Sequence, residues 1–258
     1  MRLKDKIAIV TGAADGIGLA ICQTFTKEGA KVCMADINIS KCEKEAKKIK
    51  ENGGACIAVS CDVGDTESVE KMVSKTLKKY QQIDILVNNA AVAISGNVTE
   101  MSENDWDTLM NINLKGVFRG IKLILPYMLQ QQSGSIINIS SVQAVRSWNN
   151  WTAYAAAKGA INAMTTQLAG QFGKQNVRIN SISPGAISTP MNQDRIRNEG
   201  ERFLKSSVDQ AALKRLGQSE EVAQTALFLA SDEVKFITGA DIKVDGGLTV
   251  LPHYFEGK

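Results

Sequence analysis

Seven short apolar runs, rich in β-branched residues, recur along the 258-residue chain, and longer stretches with helical spacing separate them. The runs are continuous rather than alternating, which is typical of parallel strands buried on both faces. They lie at 7–10, 32–35, 57–59, 85–87, 136–139, 177–182 and 241–244. We therefore predict an α/β fold: a single-domain, doubly wound (Rossmann-type) parallel seven-stranded sheet with helices on both faces.

The composition excludes several classes of protein. Lys and Arg number 30 against 27 Asp and Glu, so we expect no nucleic-acid partner. No apolar run approaches the ~18 residues of a membrane span, and the charged start carries no visible signal peptide, so no membrane association is expected. The chain has one histidine, His253, and five cysteines without a C-x-x-C pair. We therefore expect no metal site and a cytoplasmic protein with reduced thiols.

The first apolar run leads directly into a glycine-rich turn that opens a helical segment. Gly12, Gly16 and Gly18 let the backbone turn tightly and let a pyrophosphate approach the first N–H groups of the helix. The helix N-terminus also carries partial positive charge. A glycine turn between a strand and a helix is the context that indicates a dinucleotide-binding site.

Two carboxylates indicate whether the cofactor is NAD or NADP. Asp36 ends the second predicted strand, eighteen residues after Gly18. A carboxylate at that place can accept hydrogen bonds from both hydroxyls of an adenosine ribose and would repel a 2′-phosphate. Asp15 adds a second negative charge inside the turn itself. Both residues favour NAD rather than NADP.

An ordered set of motifs resembles the short-chain dehydrogenase/reductase family over the whole chain. Ala91 stands where the family usually has Gly, and Ala157 stands where a Ser often precedes the lysine, but neither departure removes a catalytic group. The motifs that carry the resemblance are Thr11-Gly12-x-x-x-Gly16-x-Gly18, Asp62-Val63, Asn88-Asn89-Ala90, Asn113, Ser141, Tyr154 with Lys158, Pro184-Gly185, Thr189-Pro190, Thr238-Gly239 and Val244-Asp245-Gly246-Gly247.

The resemblance implies an oxidoreductase that interconverts a secondary alcohol and a ketone, with Tyr154 as the general acid/base. Tyr154 and Lys158 stand four apart, so in a helix they project from one face. An ammonium ~4 Å from a phenol favours the phenolate by ~4 kcal/mol at an effective dielectric constant of ~20, which is sufficient for proton transfer near neutral pH. Ser141, rather than its neighbour Ser140, lies at the family's spacing before the tyrosine and would hydrogen-bond the substrate oxygen. Asn113 would hold a water beside the lysine through its backbone carbonyl.

The resemblance also assigns the contacts of the NAD cofactor. Asp62 and Val63 would lie at the adenine ring, and Ile187 and Thr189 would hold the nicotinamide carboxamide. The full set of predicted cofactor-binding residues is Gly12, Asp15, Ile17, Gly18, Asp36, Asp62, Val63, Asn89, Ala90, Tyr154, Lys158, Pro184, Gly185, Ile187 and Thr189.

The sequence motifs do not identify the substrate. The family's substrate loop corresponds to roughly 190–216, and the opposite wall would be 143–151, with two tryptophans and several amides. That mixture suits a sugar, a polyol or another hydroxylated compound. A 3-ketoacyl or hydroxysteroid reductase and a non-catalytic NAD-binding sensor are the alternatives.

Family members are commonly tetramers, so we expect a homo-oligomer. We also hypothesise that the aromatic tail 251–256 packs near an active site.

Overall fold

The computed structural model describes residues 1–251, except for the side chains of 194–196, 198, 199 and 201–203. The hypothesis about the aromatic tail therefore concerns residues that lie, apart from Leu251, outside the described part of the chain.

Seven of the strands form one parallel sheet, and each predicted apolar run lies inside one of these seven strands. The strands are β1 (Ile7–Thr11), β2 (Lys31–Asp36), β3 (Ala55–Ser60), β4 (Ile85–Asn88), β5 (Gly134–Ile139), β6 (Val177–Pro184), β7 (Ile187–Ser188), β8 (Gly217–Gln218) and β9 (Asp241–Val244). The order across the large sheet is β3-β2-β1-β4-β5-β6-β9, whereas β7 and β8 pair separately. The predicted doubly wound fold is confirmed.

Helices cover both faces of this sheet and complete two apolar cores. One core lies between the sheet and the helices at 16–27, 39–51 and 219–230, and the other lies between the sheet and the helices at 66–80, 116–131 and 152–172. Successive residues of β1 point to opposite cores, since Ala8 and Val10 join the first and Ile9 joins the second. The helices of the described chain are α1 (Gly16–Lys27), α2 (Ile39–Glu51), α3 (Thr66–Tyr80), α4 (Glu103–Met110), α5 (Gly116–Gln131), α6 (Thr152–Phe172), α7 (Pro190–Glu199), α8 (Glu201–Asp209) and α9 (Ser219–Ala230).

The strand order reverses direction at β1, which pairs with β2 on one side and with β4 on the other. The connections that follow β1 and β4 therefore leave the sheet in opposite directions. A crevice opens there at the carboxyl ends of the strands, which is where doubly wound folds bind their ligands.

The segment expected to be a substrate loop is mostly helical. Its first part folds into α7 and α8, and the short strands β7 and β8 pair with each other at its two ends. The pairing of Ile187 with Gly217 joins residues thirty positions apart. It therefore brings the two ends of this segment together beside the carboxyl end of β6.

Gly18 allows α1 to pack directly against the turn that precedes it. A Cβ atom added at this position would lie 2.0 Å from the Gly12 carbonyl oxygen and 2.6 Å from Asn89 Nδ2. Because the first contact is with backbone, it cannot be relieved by a side-chain rotation. By contrast, a Cβ added at Gly170, near the end of α6, meets no atom within 4 Å.

We predict that Gly18→Ala lowers the free energy of unfolding by roughly 1–3 kcal/mol, because the extra methyl group overpacks the turn. Gly170→Ala, the matched control, should raise it by ~0.5–1 kcal/mol, since alanine loses less backbone entropy in a helix. Urea denaturation of both variants measures the two changes. Equal effects of the two substitutions would contradict the close approach at Gly18.

Candidate active site

A cavity of about 420 Å³ lies in the crevice at the carboxyl ends of the strands. Its wall is built by the segments that follow β1, β2, β3, β4, β5 and β6. Most of the site residues predicted from the sequence line it, namely Gly12, Asp15, Ile17, Asp36, Asp62, Val63, Asn89, Ala90, Ser141, Tyr154, Lys158, Pro184, Gly185, Ile187 and Thr189.

Two of the predicted residues, Gly18 and Asn113, support the wall from behind. Asn113 is fully buried in a π-helical turn, Asn111–Lys115, between α4 and α5. Its side-chain oxygen accepts from the Val92 N–H (2.8 Å), and its side-chain nitrogen donates to the Val92 carbonyl (2.9 Å). Because Val92 lines the cavity, Asn113 holds the loop after β4 in place.

The glycine turn forms one end of the cavity and fits a phosphate. Gly12 has a φ of +65°, and a Cβ added there would lie 2.8 Å from Asn89 Nδ2. Asn89 in turn donates to the carbonyls of Thr11 and Gly12, which fixes the turn. Asp15 stands at the N-cap of α1, but its side chain makes no capping hydrogen bond. The first N–H groups of α1 are therefore open to an anion.

The Asp36 carboxylate is held by two backbone groups at the same end of the cavity. Its Oδ2 accepts from the Ala14 N–H (2.9 Å) and its Oδ1 accepts from the Asn38 N–H (2.8 Å). Each oxygen keeps a further lone pair for a hydroxyl group. Next to it, Asp15 forms an ion pair with Lys41, with 2.6 Å between Oδ2 and Nζ. Lys41 was not among the residues predicted from the sequence, because its position in the first turn of α2 was its only signal.

A buried arginine supports the neighbouring wall and was also missed. Arg119 donates to the Val63 carbonyl (3.1 Å), to the Thr66 hydroxyl (3.0 Å) and to both oxygens of Asn111 (3.1 and 2.7 Å). It thereby joins the segment after β3 to the π-helical turn that contains Asn113. Its acceptors are neutral and distant in sequence, so no local pattern indicated this role.

Tyr154 and Lys158 lie on the same face of α6, as their spacing predicts. Lys158 Nζ lies 5.4 Å from the centre of the Tyr154 ring and donates to the Ile139 carbonyl at 2.8 Å. Only 3% of Lys158 is exposed, and this burial lowers the pKa of its ammonium group to about 8. Trp151 packs edge-to-face on Tyr154, with 5.5 Å between the ring centres.

The end of β5 positions the two neighbouring serines differently. The Ser140 hydroxyl donates to the Lys158 carbonyl (3.0 Å) and so ties α6 to the sheet. Asn138 adds a second tie, since its side chain donates to the Thr165 hydroxyl at 2.9 Å. Both serines line the cavity, but the Ser141 hydroxyl oxygen accepts a hydrogen bond from the Gln143 N–H (3.1 Å). The Ser141 hydroxyl can therefore still donate its own proton to another acceptor in the cavity.

The segment after β6 closes the opposite end of the cavity. A Cβ added at Gly185 would lie 2.9 Å from the Asp245 backbone, so only glycine fits there. The Asn192 side chain donates to the Ile187 carbonyl (2.8 Å), and the Thr189 hydroxyl accepts from the Asn192 N–H (3.3 Å). Asn192 thus shapes the loop that contains two predicted contacts of the nicotinamide.

The remaining wall combines flat apolar faces with neutral polar groups. Asn149 and Asn150, which were expected here, are exposed and do not line the cavity. The Gln143 side-chain oxygen is buried and has no hydrogen-bond partner within the described residues. The residues of this wall are Val92, Val142, Gln143, Trp148, Trp151, Met191, Asn192 and Ser207.

The cysteines do not supply a nucleophile. All five are buried, and burial raises the pKa of the Cys33 thiol to about 12. Among the side chains that the structure describes, no group of three His, Cys, Asp or Glu is placed to hold a metal ion. None of the helices described here has the length and apolarity that a membrane crossing requires.

Comparisons with known proteins agree with this geometry. The family model described as enoyl-(acyl carrier protein) reductase matches residues 12–249. A 3-oxoacyl-[acyl-carrier-protein] reductase, FabG, of Thermotoga maritima is 39% identical over 97% of this chain and 100% of its own length. An uncharacterized oxidoreductase of Bacillus subtilis, YxbG, is also 39% identical, over 100% of this chain and 95% of its own.

Solved structures show the same fold over nearly the whole chain. A short-chain dehydrogenase/reductase from Burkholderia xenovorans superposes with a TM-score of 0.94 at 35% identity, covering 98% of this chain and 99% of that one. Levodione reductase superposes with a TM-score of 0.93 at 29% identity, covering 96% and 99%. With the matching family model and the relatives above, this means that the chain is an oxidoreductase that binds a nicotinamide cofactor, acts on small molecules and belongs to the short-chain dehydrogenase/reductase family.

Proposed function

We propose that the protein is an NAD(H)-dependent oxidoreductase that interconverts a secondary alcohol and a ketone, with Tyr154 as the general acid/base. The observation that carries this proposal is the position of Tyr154 and Lys158 on one face of α6, inside a cavity whose far end is the glycine turn. A nicotinamide held in this cavity would supply the chemistry of hydride transfer, and the chain supplies orientation and acid–base groups.

In the oxidative direction the Tyr154 oxygen accepts the proton of the substrate hydroxyl, and in the reductive direction it returns a proton to the carbonyl oxygen. The Lys158 ammonium, 5.4 Å from the centre of the Tyr154 ring, favours the ionised phenol, since a cation ~5 Å from a phenolate charge contributes about 3 kcal/mol at an effective dielectric constant of ~20. The Ser141 hydroxyl donates a hydrogen bond to the same substrate oxygen and stabilises the charge that develops on it.

Asn113 is proposed to connect Lys158 with solvent. Both polar atoms of its side chain are bonded to Val92, so this role falls to its backbone carbonyl, which would hold a water molecule beside the lysine. The π-helical turn supports this proposal, because such turns interrupt the regular α-helical hydrogen bonds and are frequent at functional sites.

NAD is the proposed cofactor because of the charge around the ribose position. The Asp36 carboxylate is aligned by the N–H groups of Ala14 and Asn38, which leaves lone pairs for the two ribose hydroxyls. A 2′-phosphate at this place would meet a fixed negative charge. The remaining predicted contacts line the rest of the same cavity, from Asp62 to Thr189.

The proposed substrate is a neutral, hydroxylated compound such as a sugar or a polyol. The wall formed by Gln143, Trp148 and Trp151 offers flat apolar faces and an amide, which supports this choice. A 3-oxoacyl thioester is the second candidate, favoured by the name of the Thermotoga maritima relative. A screen of NAD reduction over polyols, sugars, hydroxysteroids and simple secondary alcohols, with NADH oxidation by a 3-oxoacyl thioester beside it, separates the two.

The chain is further proposed to be one cytoplasmic domain, 1–258, in which the segment 190–216 covers the substrate. Met191 and Ser207 from this segment line the cavity, which supports a covering role. A homo-oligomer is also proposed, and the resemblance to the family favours a tetramer. Phe118 on α5 is about half exposed and Phe236 before β9 is fully exposed, and exposed aromatic side chains are typical of surfaces that bind another chain.

Tyr154→Phe is expected to lower kcat by ~10²–10⁴-fold, because it removes the proton-transferring oxygen but keeps the ring. The variant should still bind NADH, which quenching of protein fluorescence measures. Tyr127→Phe, which changes an exposed tyrosine of α5, is the matched control and should keep the parent kcat. Full turnover in Tyr154→Phe would reject the acid/base role, whereas a parent protein that binds NADH but turns over none of the screened compounds would favour a non-catalytic sensor.

The buried charge of Lys158 should make stability depend on pH. Burial lowers the pKa of this ammonium from 10.5 to about 8 in the folded chain, so between these pH values the unfolded chain binds more protons and stability rises with pH. We expect the parent to gain stability relative to Lys158→Met by on the order of 3 kcal/mol between pH 7 and pH ~10.5. Urea denaturation of both proteins across this pH range measures the difference in their free energies of unfolding. A difference that does not change with pH would contradict the lowered pKa of Lys158.

Static light scattering should give a mass that is a multiple of the 27.9 kDa chain, with four copies expected. The measurement should use the full chain at micromolar concentration, because association depends on concentration. A monomeric mass under these conditions would refute the proposed assembly and leave the acid/base proposal untouched.

A further inference from the structure

The ion pair between Asp15 and Lys41 lies at the nucleotide end of the cavity and has no part in the proposed acid–base chemistry. Lys41 Nζ lies 2.6 Å from Asp15 Oδ2, and about half of each side chain is exposed. Asp15 lines the cavity, and Lys41 lies in the first turn of α2. The chain thus places a cation at the cavity edge and an anion directly against it.

Hydrogen bonds connect the segments that bear Asp15 and Lys41 to Asp36. Asp36 Oδ2 accepts from the N–H of Ala14, the residue before Asp15. Asp36 Oδ1 accepts from the Asn38 N–H, and the Asn38 side chain accepts from the Lys41 N–H at 3.1 Å. The segments that bear Asp15 and Lys41 are therefore both attached to the carboxylate proposed to bind the ribose. A ribose bound by Asp36 would therefore lie beside the two segments that carry the ion pair.

We propose that Lys41 is a specificity-determining residue whose charge is neutralised by Asp15, so that this pair, together with Asp36, excludes a cofactor with a 2′-phosphate. The inference rests on the proposed use of NAD. A lysine beside a ribose would ordinarily attract a phosphate, because a compact ammonium is a good phosphate ligand. Here the ammonium already has a carboxylate partner, and the three side chains together carry one net negative charge.

Two effects of Asp15 need to be separated. Asp15 could exclude the phosphate by its own repulsion, or it could do so by occupying Lys41. The first effect is independent of the residue at position 41, whereas the second disappears when the lysine is removed. A double-mutant cycle with Asp15→Asn and Lys41→Gln, both close in size to the original side chains, distinguishes the two effects.

The binding experiment uses isothermal titration calorimetry of the full chain with adenosine 2′,5′-bisphosphate and with 5′-AMP, which lacks only the 2′-phosphate. The measured quantity is the ratio of the two dissociation constants. We expect Asp15→Asn to shift this ratio in favour of the bisphosphate by roughly tenfold, as one freed charge-assisted contact would. Lys41→Gln alone should shift it by less than about twofold, and the double variant should lose most of the gain of Asp15→Asn.

The outcomes decide between the mechanisms. If the double variant keeps the gain of Asp15→Asn, the repulsion of Asp15 acts alone and the role of Lys41 is overturned. If Lys41→Gln alone weakens bisphosphate binding as strongly as it does in the Asp15→Asn background, the lysine is not neutralised in the parent and the inference also fails. The gain in Asp15→Asn should decline as NaCl is raised, because the freed lysine and the phosphate are partly exposed.

The parent protein tests the underlying proposal separately. A parent that binds 5′-AMP more tightly than the bisphosphate, and that turns over NAD(H) more efficiently than NADP(H), supports the proposed cofactor whatever the variants do. A parent that prefers the bisphosphate overturns the proposed use of NAD and, with it, this inference. A parent that prefers 5′-AMP, combined with an unchanged ratio in Asp15→Asn, overturns the role of the ion pair alone.

Discussion

The candidate site depends on the parallel pairing of β1 with both β2 and β4. This pairing brings the carboxyl ends of the strands to one edge and sends the following segments to opposite faces. The glycine turn, Asp36, the loop after β4 and the start of α6 then border one crevice, although they are distributed over most of the chain. Because the strands are buried on both faces, their register cannot slip without exposing apolar side chains.

Within this frame, the buried Lys158 is the group that most needs support. Removing an ammonium group from water is unfavourable, and its lowered pKa reflects that penalty. The neighbouring structure offsets part of the penalty, since the Ile139 carbonyl accepts a hydrogen bond from Nζ. Ser140 and Asn138 hold α6 against the sheet. The arrangement keeps the cation beside Tyr154, which suits a group retained for chemistry rather than for stability.

The nucleotide end of the cavity is organised by charge instead. Asp36 is fixed by backbone N–H groups, and Asp15 and Lys41 form an ion pair beside it. The proposed choice of cofactor therefore depends on the sum of three interacting side chains. These three side chains tolerate the loss of one charge better than the buried lysine does, because the members of the ion pair are partly exposed to solvent and salt.

The sequence by itself determined the features that depend on local pattern. Continuous apolar runs predicted the seven strands, the glycine spacing predicted the turn before α1, and a spacing of four placed Tyr154 and Lys158 on one face of a helix. These predictions succeed because strand burial, tight turns and helical periodicity follow from near neighbours. The helical form of 190–209 was missed, since no apolar spacing was recognised in that polar segment.

Only the tertiary structure decided which distant side chains meet. Arg119 reaches Val63 across 56 positions, Asn113 binds Val92 across 21, and Lys41 pairs with Asp15 across 26. None of these contacts has a periodicity, because each arises where two separately folded segments come together. A sequence pattern can show that a buried arginine or an exposed lysine is present. The acceptor that lies beside it is set by the packing of the whole sheet and its helices.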